Sequence, residues 1–152
     1  MARQEKGAPN DEPLERLRAV LAAPPFHAFL QPQAVAVDPE AGIVEVRLPF
    51  RPEFRRVSDK PEYHGGVIAS LIDLVAHATA ALRTGYMAPS VDLRIDYLHV
   101  AAETDLHARG TVQRFGRTLA VVDVEVKDGL GRKVALGRGL LSVAPSGVSF
   151  EA

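Results

Sequence analysis

Apolar residues near the start of the chain recur every three or four positions between Glu12 and Ala23. This spacing predicts a short amphipathic helix, which Pro24 and Pro25 end because proline cannot continue a helix. Further along, the run from Gly65 to Leu82 is rich in alanine and leucine and is too long for a strand. It predicts a second helix that is apolar nearly all round, and therefore buried, and that stops near Gly85.

Six other segments are predicted to be β-strands, because apolar and polar residues alternate along most of them. A turn at Pro39–Gly42 joins the first two strands into a hairpin, and a turn at Asp128–Gly129 precedes the last strand. Between the hairpin and the long helix, Pro49–Tyr63 has no periodicity and is expected to be a long loop. The strands are expected at residues 33–38, 43–48, 90–97, 106–113, 120–127 and about 133–143.

The order of these elements indicates the fold class. The long helix carries too much apolar surface to lie on the outside, and an antiparallel sheet can pack one face on a helix while its other face stays in water. An α+β fold, with the antiparallel sheet wrapped around one long central helix, fits this order. Three alanines, Ala69, Ala76 and Ala80, are expected on the outer side of the helix, where a second subunit would cover them.

Composition narrows the class of protein. With 152 residues, 47% of them hydrophobic, the chain fits one domain, placed at 12–144 between a disordered tail (1–11) and a C-terminal tail (145–152). The net charge of −1 gives no basic field for nucleic acid and no polybasic membrane signal. The absence of cysteine excludes a thiolate zinc site and a cysteine nucleophile. The start lacks the apolar core of a signal peptide, so we expect a cytoplasmic protein. The histidines His27, His99 and His107 have no metal-like spacing, so we expect no metal.

The sequence His64-Gly65-Gly66 stands where the predicted loop becomes the long helix. A helix N-terminus leaves backbone N–H groups unpaired and carries a partial positive charge. Glycines let a substrate carbonyl come close to those N–H groups, as an oxyanion hole requires. A flexible helix entry, with His64 as a capping neighbour, is the alternative that the spacing leaves open.

Asp73 is an acidic residue in the middle of the apolar helix. Burying a carboxylate is costly unless the group is paired or used, so a catalytic base is one interpretation. A polar subunit interface, or pairing with His77 one turn later, is the other.

Distance bears on how Gly65 and Asp73 work together. They are eight residues apart, about 12 Å along one helix. An oxyanion donor and a base must both lie about 3 Å from one reacting centre, so one chain can hardly supply both. Two antiparallel helices across a two-fold axis would place Asp73 of one chain beside Gly65 of the other, which gives two equal sites in a dimer.

Three stretches carry a resemblance to a known family: Glu62–Asp73, Ser90–Leu98 and Gly116–Ala120. They resemble the hotdog-fold acyl-CoA thioesterases of the phenylacetate-degradation type, which are relatives of 4-hydroxybenzoyl-CoA thioesterase. The likeness covers about residues 30–144 and implies a hotdog fold. It also implies hydrolysis of aryl or short- to medium-chain acyl-CoA, with no cofactor beyond the CoA of the substrate. A homo-oligomer follows from the same resemblance, as a tetramer built from two dimers.

The resemblance also implies roles for single residues. Gly65 resembles the backbone oxyanion donor, and Asp73 resembles the general base or nucleophile. Ser90 resembles the hydroxyl residue that orients the attacking water, and His64 resembles the residue that shapes the oxyanion loop. The family often has asparagine six residues before this histidine, whereas this chain has Ser58, which puts that part of the likeness in doubt.

Two arginines, Arg114 and Arg117, flank Gly116 in a predicted turn between strands. Guanidinium groups suit the phosphates of CoA, although solvated turn charge is the ordinary alternative. Arg138, between two glycines, is a weaker candidate. With these two arginines, the residues expected to bind substrate or CoA are Gly66 and Ser58 near the helix start and Thr118 in the turn.

Two other functions stay open at this point. A hotdog domain could bind acyl-CoA without cleaving it, which Asp73 argues against and Ser58 leaves open. An enoyl-CoA hydratase of the same fold is the second alternative, but Asp73 and His77 are a poor copy of the acid and histidine that such enzymes place together. Fold alone does not decide between these functions.

Overall fold

The computed structural model of the chain describes residues 11–145, and the rest of the two predicted tails lies outside the described residues. The first helix begins at Asp11, one residue earlier than predicted, so that residue belongs to the helix and not to the tail. The helices are α1 (Asp11–Ala22), α2 (Pro25–Leu30) and α3 (Gly65–Thr84). The strands are β1 (Gln33–Asp38), β2 (Ile43–Leu48), β3 (Arg55–Val57), β4 (Lys60–Tyr63), β5 (Ser90–Tyr97), β6 (Leu106–Phe115), β7 (Leu119–Asp128) and β8 (Lys133–Ser142).

Six of the strands form one antiparallel sheet in the order β1-β2-β6-β7-β8-β5, and this sheet wraps around α3. The predicted hotdog fold is confirmed. Two strand glycines let the helix approach closely: a Cβ atom on Gly137 would lie 2.3 Å from Cγ2 of Ile72, and one on Gly110 would lie 2.2 Å from Oγ1 of Thr79. Gly85 ends the helix in the left-handed conformation, with φ of 77°, as predicted.

The segment from residue 49 to residue 63 is not the structureless loop that was predicted. It holds a 3₁₀ turn, Pro52–Phe54, followed by the two-stranded ribbon of β3 and β4. Phe54 is fully buried, and its ring lies 6.4 Å from that of Tyr63, so an aromatic contact anchors the ribbon to the core. Strands of three and four residues are too short to show a period, which is why the pattern missed them.

Helix α3 is not buried all round within one chain. Ala76 and Ala80 are fully buried, which corrects the expectation that they face outward, and a Cβ atom on Gly139 of β8 would lie 3.0 Å from that of Ala76. The partly or fully exposed face lies on the other side of the helix. It carries Gly66, Ala69, Ser70, Asp73 and His77.

This helix bears on the question of a membrane. Among residues 11–145, α3 is long and apolar enough to cross a bilayer, and 56% of its most apolar window is buried inside the fold. The core helix of a soluble protein meets the same criteria of length and apolarity, and here the helix packs on α1 and on the inner face of the sheet. The fold is of the soluble type, and the cytoplasmic location stays a prediction.

Candidate active site

The start of α3 presents one unpaired backbone donor. His64 caps the helix in an extended conformation, and its own N–H donates to the carbonyl of Phe54 over 2.8 Å. Its Nδ1 atom accepts a hydrogen bond from Gly66 N–H over 2.9 Å. Within residues 11–145, the N–H of Gly65 has no acceptor. It stands at the positive end of the helix dipole, as an oxyanion donor would.

Tyr97, the last residue of β5, completes this part of the site. Its hydroxyl donates to the carbonyl of Gly65 over 3.0 Å. In the sequence Tyr97 follows Leu93 and Ile95 in the apolar half of the alternating run of β5, a pattern that predicts no functional role for it. The tyrosine side chain is 54% exposed, and its position at the end of an alternating run was the only available signal that it does not belong to the core.

Asp73 and Ser90 meet on the outer face of the helix. The serine hydroxyl donates to Oδ1 of Asp73 over 2.6 Å, although the two residues are seventeen positions apart in sequence. Asp73 is partly exposed because α3 is open on this side, and Ser90 is exposed at the first position of β5. Within residues 11–145, Oδ2 of Asp73 accepts no hydrogen bond and is free to accept a proton.

His77 does not pair with Asp73 by a hydrogen bond. Its Nδ1–H donates to the carbonyl of Ala88 over 3.0 Å, and its Nε2 is buried with no partner among the described residues. Nearby, burial lowers the pKa of His27; its hydrogen bond to the carbonyl of Leu21 opposes that shift, the charge of His77 adds to it and the charge of Asp73 opposes it. His27 and His77 therefore each use a ring nitrogen on a backbone carbonyl, and within residues 11–145 neither forms a hydrogen bond with Asp73.

The other predicted site residues lie apart from these. Ser58 is exposed in the turn between β3 and β4, and within residues 11–145 no hydrogen bond joins it to the helix start. Arg114, Arg117 and Thr118 are exposed at the turn between β6 and β7. The guanidinium of Arg83, in the last turn of α3, lies 4.8 Å from the ring centre of Phe115 beside that turn.

One chain therefore holds two separate groups of site residues. Gly65 with its partners lies at the N-terminus of α3, and Asp73 with Ser90 lies about 12 Å further along. The arginine turn lies at the opposite end of the helix. Within the described residues no group of three or more histidines and carboxylates could hold a metal ion.

The chain matches the family model of the Thioesterase superfamily over residues 63–135, from the end of β4 into β8. A solved thioesterase-superfamily protein superposes with a TM-score of 0.82 at 31% identity, over 87% of this chain and 98% of that one. The chain belongs to the thioesterase superfamily. The thioesterase resemblance seen in the sequence is thereby confirmed.

Two further proteins extend the comparison. The PaaI protein of the Escherichia coli phenylacetic acid degradation operon shares the fold, with a TM-score of 0.76 at 21% identity over 90% of this chain and 96% of that one. A "putative esterase" of Saccharolobus solfataricus is 28% identical over 125 residues, which are 80% of this chain and 86% of that protein. The PaaI likeness shows the fold, and the family match together with the esterase relative supports a hydrolase that acts on thioesters.

Proposed function

We propose that this thioesterase-superfamily protein hydrolyses acyl-CoA thioesters, with an aryl or a short- to medium-chain acyl group, to the free acid and CoA. The observation that carries this proposal is the pairing of Asp73 with Ser90 on an open face of α3. The same chain also offers an unpaired Gly65 N–H at the start of that helix. A carboxylate and a backbone oxyanion donor are what thioester hydrolysis requires, and no metal or other cofactor has a part in it.

The chemistry follows from the two groups. The thioester carbonyl oxygen accepts a hydrogen bond from Gly65 N–H, which stabilises the negative charge that forms when the carbon is attacked. In one route Asp73 takes a proton from water as the water oxygen bonds to that carbon. The C–S bond then breaks, and the proton passes from Asp73 to the leaving sulfur. Ser90 holds the carboxylate in place through its 2.6 Å hydrogen bond.

A second route uses Asp73 as the nucleophile. One carboxylate oxygen bonds to the thioester carbon, the CoA thiolate leaves, and water hydrolyses the resulting anhydride. Both routes use the same residues, and ¹⁸O found in the Asp73 side chain after a single turnover in ¹⁸O-labelled water identifies the second route. Label appears in the Asp73 side chain only if the anhydride forms and water attacks it on the aspartyl carbon.

The site is proposed to be shared between two subunits, because one chain separates Gly65 and Asp73 by about 12 Å. The surface beside the site suits a second copy of the chain. Strand β5 is an edge strand of the sheet, with unpaired backbone groups. Val91 is 58% exposed and Val100 is 53% exposed on and just after this strand, which is apolar surface that a partner would cover. A tetramer of two such dimers, in the cytoplasm, extends the same proposal by resemblance.

The arginine turn is the proposed contact for the nucleotide phosphates of CoA. Neither Arg114 nor Arg117 forms an ion pair within residues 11–145. Arg138, by contrast, makes two hydrogen bonds to Asp123, at 2.6 and 2.7 Å, on the outer face of the sheet. The two turn arginines are therefore available to a phosphate, whereas Arg138 already has a carboxylate partner. Thr118 lies in the same turn.

The competing functions make different demands. A hydratase places an acid and a histidine together on its substrate, but His77 donates to the carbonyl of Ala88 instead. The test is a panel of benzoyl-CoA, acetyl-CoA and octanoyl-CoA, with released CoA detected by a thiol reagent and crotonyl-CoA added to detect hydration. Thiol release that the Asp73→Asn variant loses supports a thioesterase. Tight binding without release would leave a non-catalytic acyl-CoA-binding module.

A further inference from the structure

The peptide unit between Gly65 and Gly66 is held at both ends by side chains of the same chain. Its carbonyl oxygen accepts from the hydroxyl of Tyr97 over 3.0 Å, and its N–H donates to Nδ1 of His64 over 2.9 Å. The next N–H towards the N-terminus, that of Gly65, is the unpaired donor of the site.

This double contact matters because two adjacent glycines are the least restrained backbone a chain can have. Gly65 is the first residue of α3, where the helix restrains the backbone on one side only, and a rotation there would turn the donor away from a substrate. A donor contributes to catalysis to the extent that it is already oriented when charge develops on the substrate oxygen. The glycines give the substrate access, and the side-chain contacts supply the rigidity.

We propose that Tyr97 is a positioning residue of the oxyanion hole: its hydroxyl holds the Gly65 carbonyl so that the Gly65 N–H points at the substrate. The inference rests on the proposed thioesterase function and adds a residue to it. The contact lies within one chain, so each subunit carries a complete oxyanion half of a site before any partner binds. A Cβ atom on Gly65 would lie 3.4 Å from the Tyr97 ring, so the ring also lines the donor.

The direct test is Tyr97→Phe, which keeps the ring and deletes the hydroxyl. Removal of a whole oxyanion donor costs roughly 10²–10³ in kcat, and Tyr97 acts through that donor, so we expect a loss of roughly 5- to 30-fold in kcat. KM for benzoyl-CoA should change less than about twofold, because the hydroxyl already donates to the Gly65 carbonyl and acts through the donor. The matched control is Tyr86→Phe, a second exposed tyrosine, which should keep wild-type kcat.

A spectroscopic measurement separates positioning from general damage. Benzoyl-CoA with a ¹³C carbonyl is bound to the slow Asp73→Asn variant, and the carbonyl stretch is recorded by difference infrared spectroscopy. We expect the carbonyl stretch of the bound molecule to lie at lower frequency than that of free ¹³C-labelled benzoyl-CoA. The difference should be smaller when Tyr97→Phe is added to the Asp73→Asn variant. Size-exclusion chromatography and thermal unfolding of both tyrosine variants should match wild type, since Tyr97 is half exposed.

The outcomes distinguish this inference from the proposed function. An active wild type with an inactive Asp73→Asn variant, but an unaltered kcat and carbonyl stretch in Tyr97→Phe, would overturn the role of Tyr97 alone. A rise in KM with unaltered kcat would also overturn it. A wild type inactive on every thioester would contradict the proposed function, and this inference with it.

Discussion

Replacing Gly65 by proline removes the N–H donor of the proposed oxyanion hole, because the proline ring closes on the backbone nitrogen, and the local backbone conformation is compatible with proline. Gly65 is the first residue of α3, a position that proline favours because its N–H has no partner inside the helix. The residue before a proline must be extended, and His64 has φ of −69° and ψ of 131°. The variant should therefore fold.

Its activity should fall by roughly two to three orders of magnitude in kcat, the cost of losing one oxyanion donor. Gly65→Ala is the matched control: it keeps the N–H, and its Cβ atom would lie at an ordinary distance of 3.4 Å from Tyr97. If the alanine variant loses as much as the proline variant, the loss comes from crowding by a side chain and not from the missing donor.

Mixing the proline variant with Asp73→Asn tests whether the site is shared. In a heterodimer one site combines the intact Gly65 of one chain with the intact Asp73 of the other, and the second site carries both defects. A heterodimer should reach about half of wild-type activity, and a fully exchanged equimolar mixture about a quarter, because about half of its dimers are mixed. Exchange is verified by native mass spectrometry. Exchange without recovered activity would refute the reasoning from distance.

Three further changes have defined outcomes. Asp73→Asn should lose roughly two or more orders of magnitude in turnover with its circular dichroism unchanged, and near-normal turnover would disprove its role. Arg117→Ala should raise KM for acyl-CoA more than KM for an acyl-pantetheine lacking the nucleotide; equal rises would make it structural. Burial lowers the pKa of folded His27, so the free energy of unfolding should decrease as pH falls below 6.5. His27→Gln should flatten that decrease in urea titrations, and parallel curves would contradict it.

The sequence predicts most of this fold because its pattern is regular where the elements are long. Alternation located β1, β2 and β5 at their observed bounds, and an apolar run of helical length located α3. The short helix α2, only six residues long, was missed for the same reason as β3 and β4: in so short an element the pattern of apolar and polar residues does not repeat often enough to be recognised.

The candidate site was predictable only in part. The acidic residue and the glycines stand out from their neighbours, so Asp73 and Gly65 could be proposed from sequence. The hydrogen bond from Ser90 depends on how the first residue of β5 lies against α3 in space, which the sequence pattern does not give. Helical spacing groups Ala76 with Ala80 but does not say which side of the helix meets the sheet, so their outward placement was wrong. Tyr97 was missed for a similar reason: alternation does not distinguish a side chain packed in the core from one whose hydroxyl binds a backbone carbonyl.

The glycines on the inner face of the sheet set how closely α3 packs on it, and so where the residues on the opposite side of the helix lie. Gly137 faces Ile72, the residue immediately before Asp73, and even a methyl group there would come within 2.3 Å of that side chain. The distance between α3 and the sheet therefore sets the position of the Asp73 carboxylate and the length of its hydrogen bond to Ser90. Strand β8 carries none of the proposed reacting groups, yet a larger residue in place of Gly137 would displace Ile72 and, with it, Asp73. We therefore expect substitutions on the inner face of β8 to lower turnover before they prevent folding.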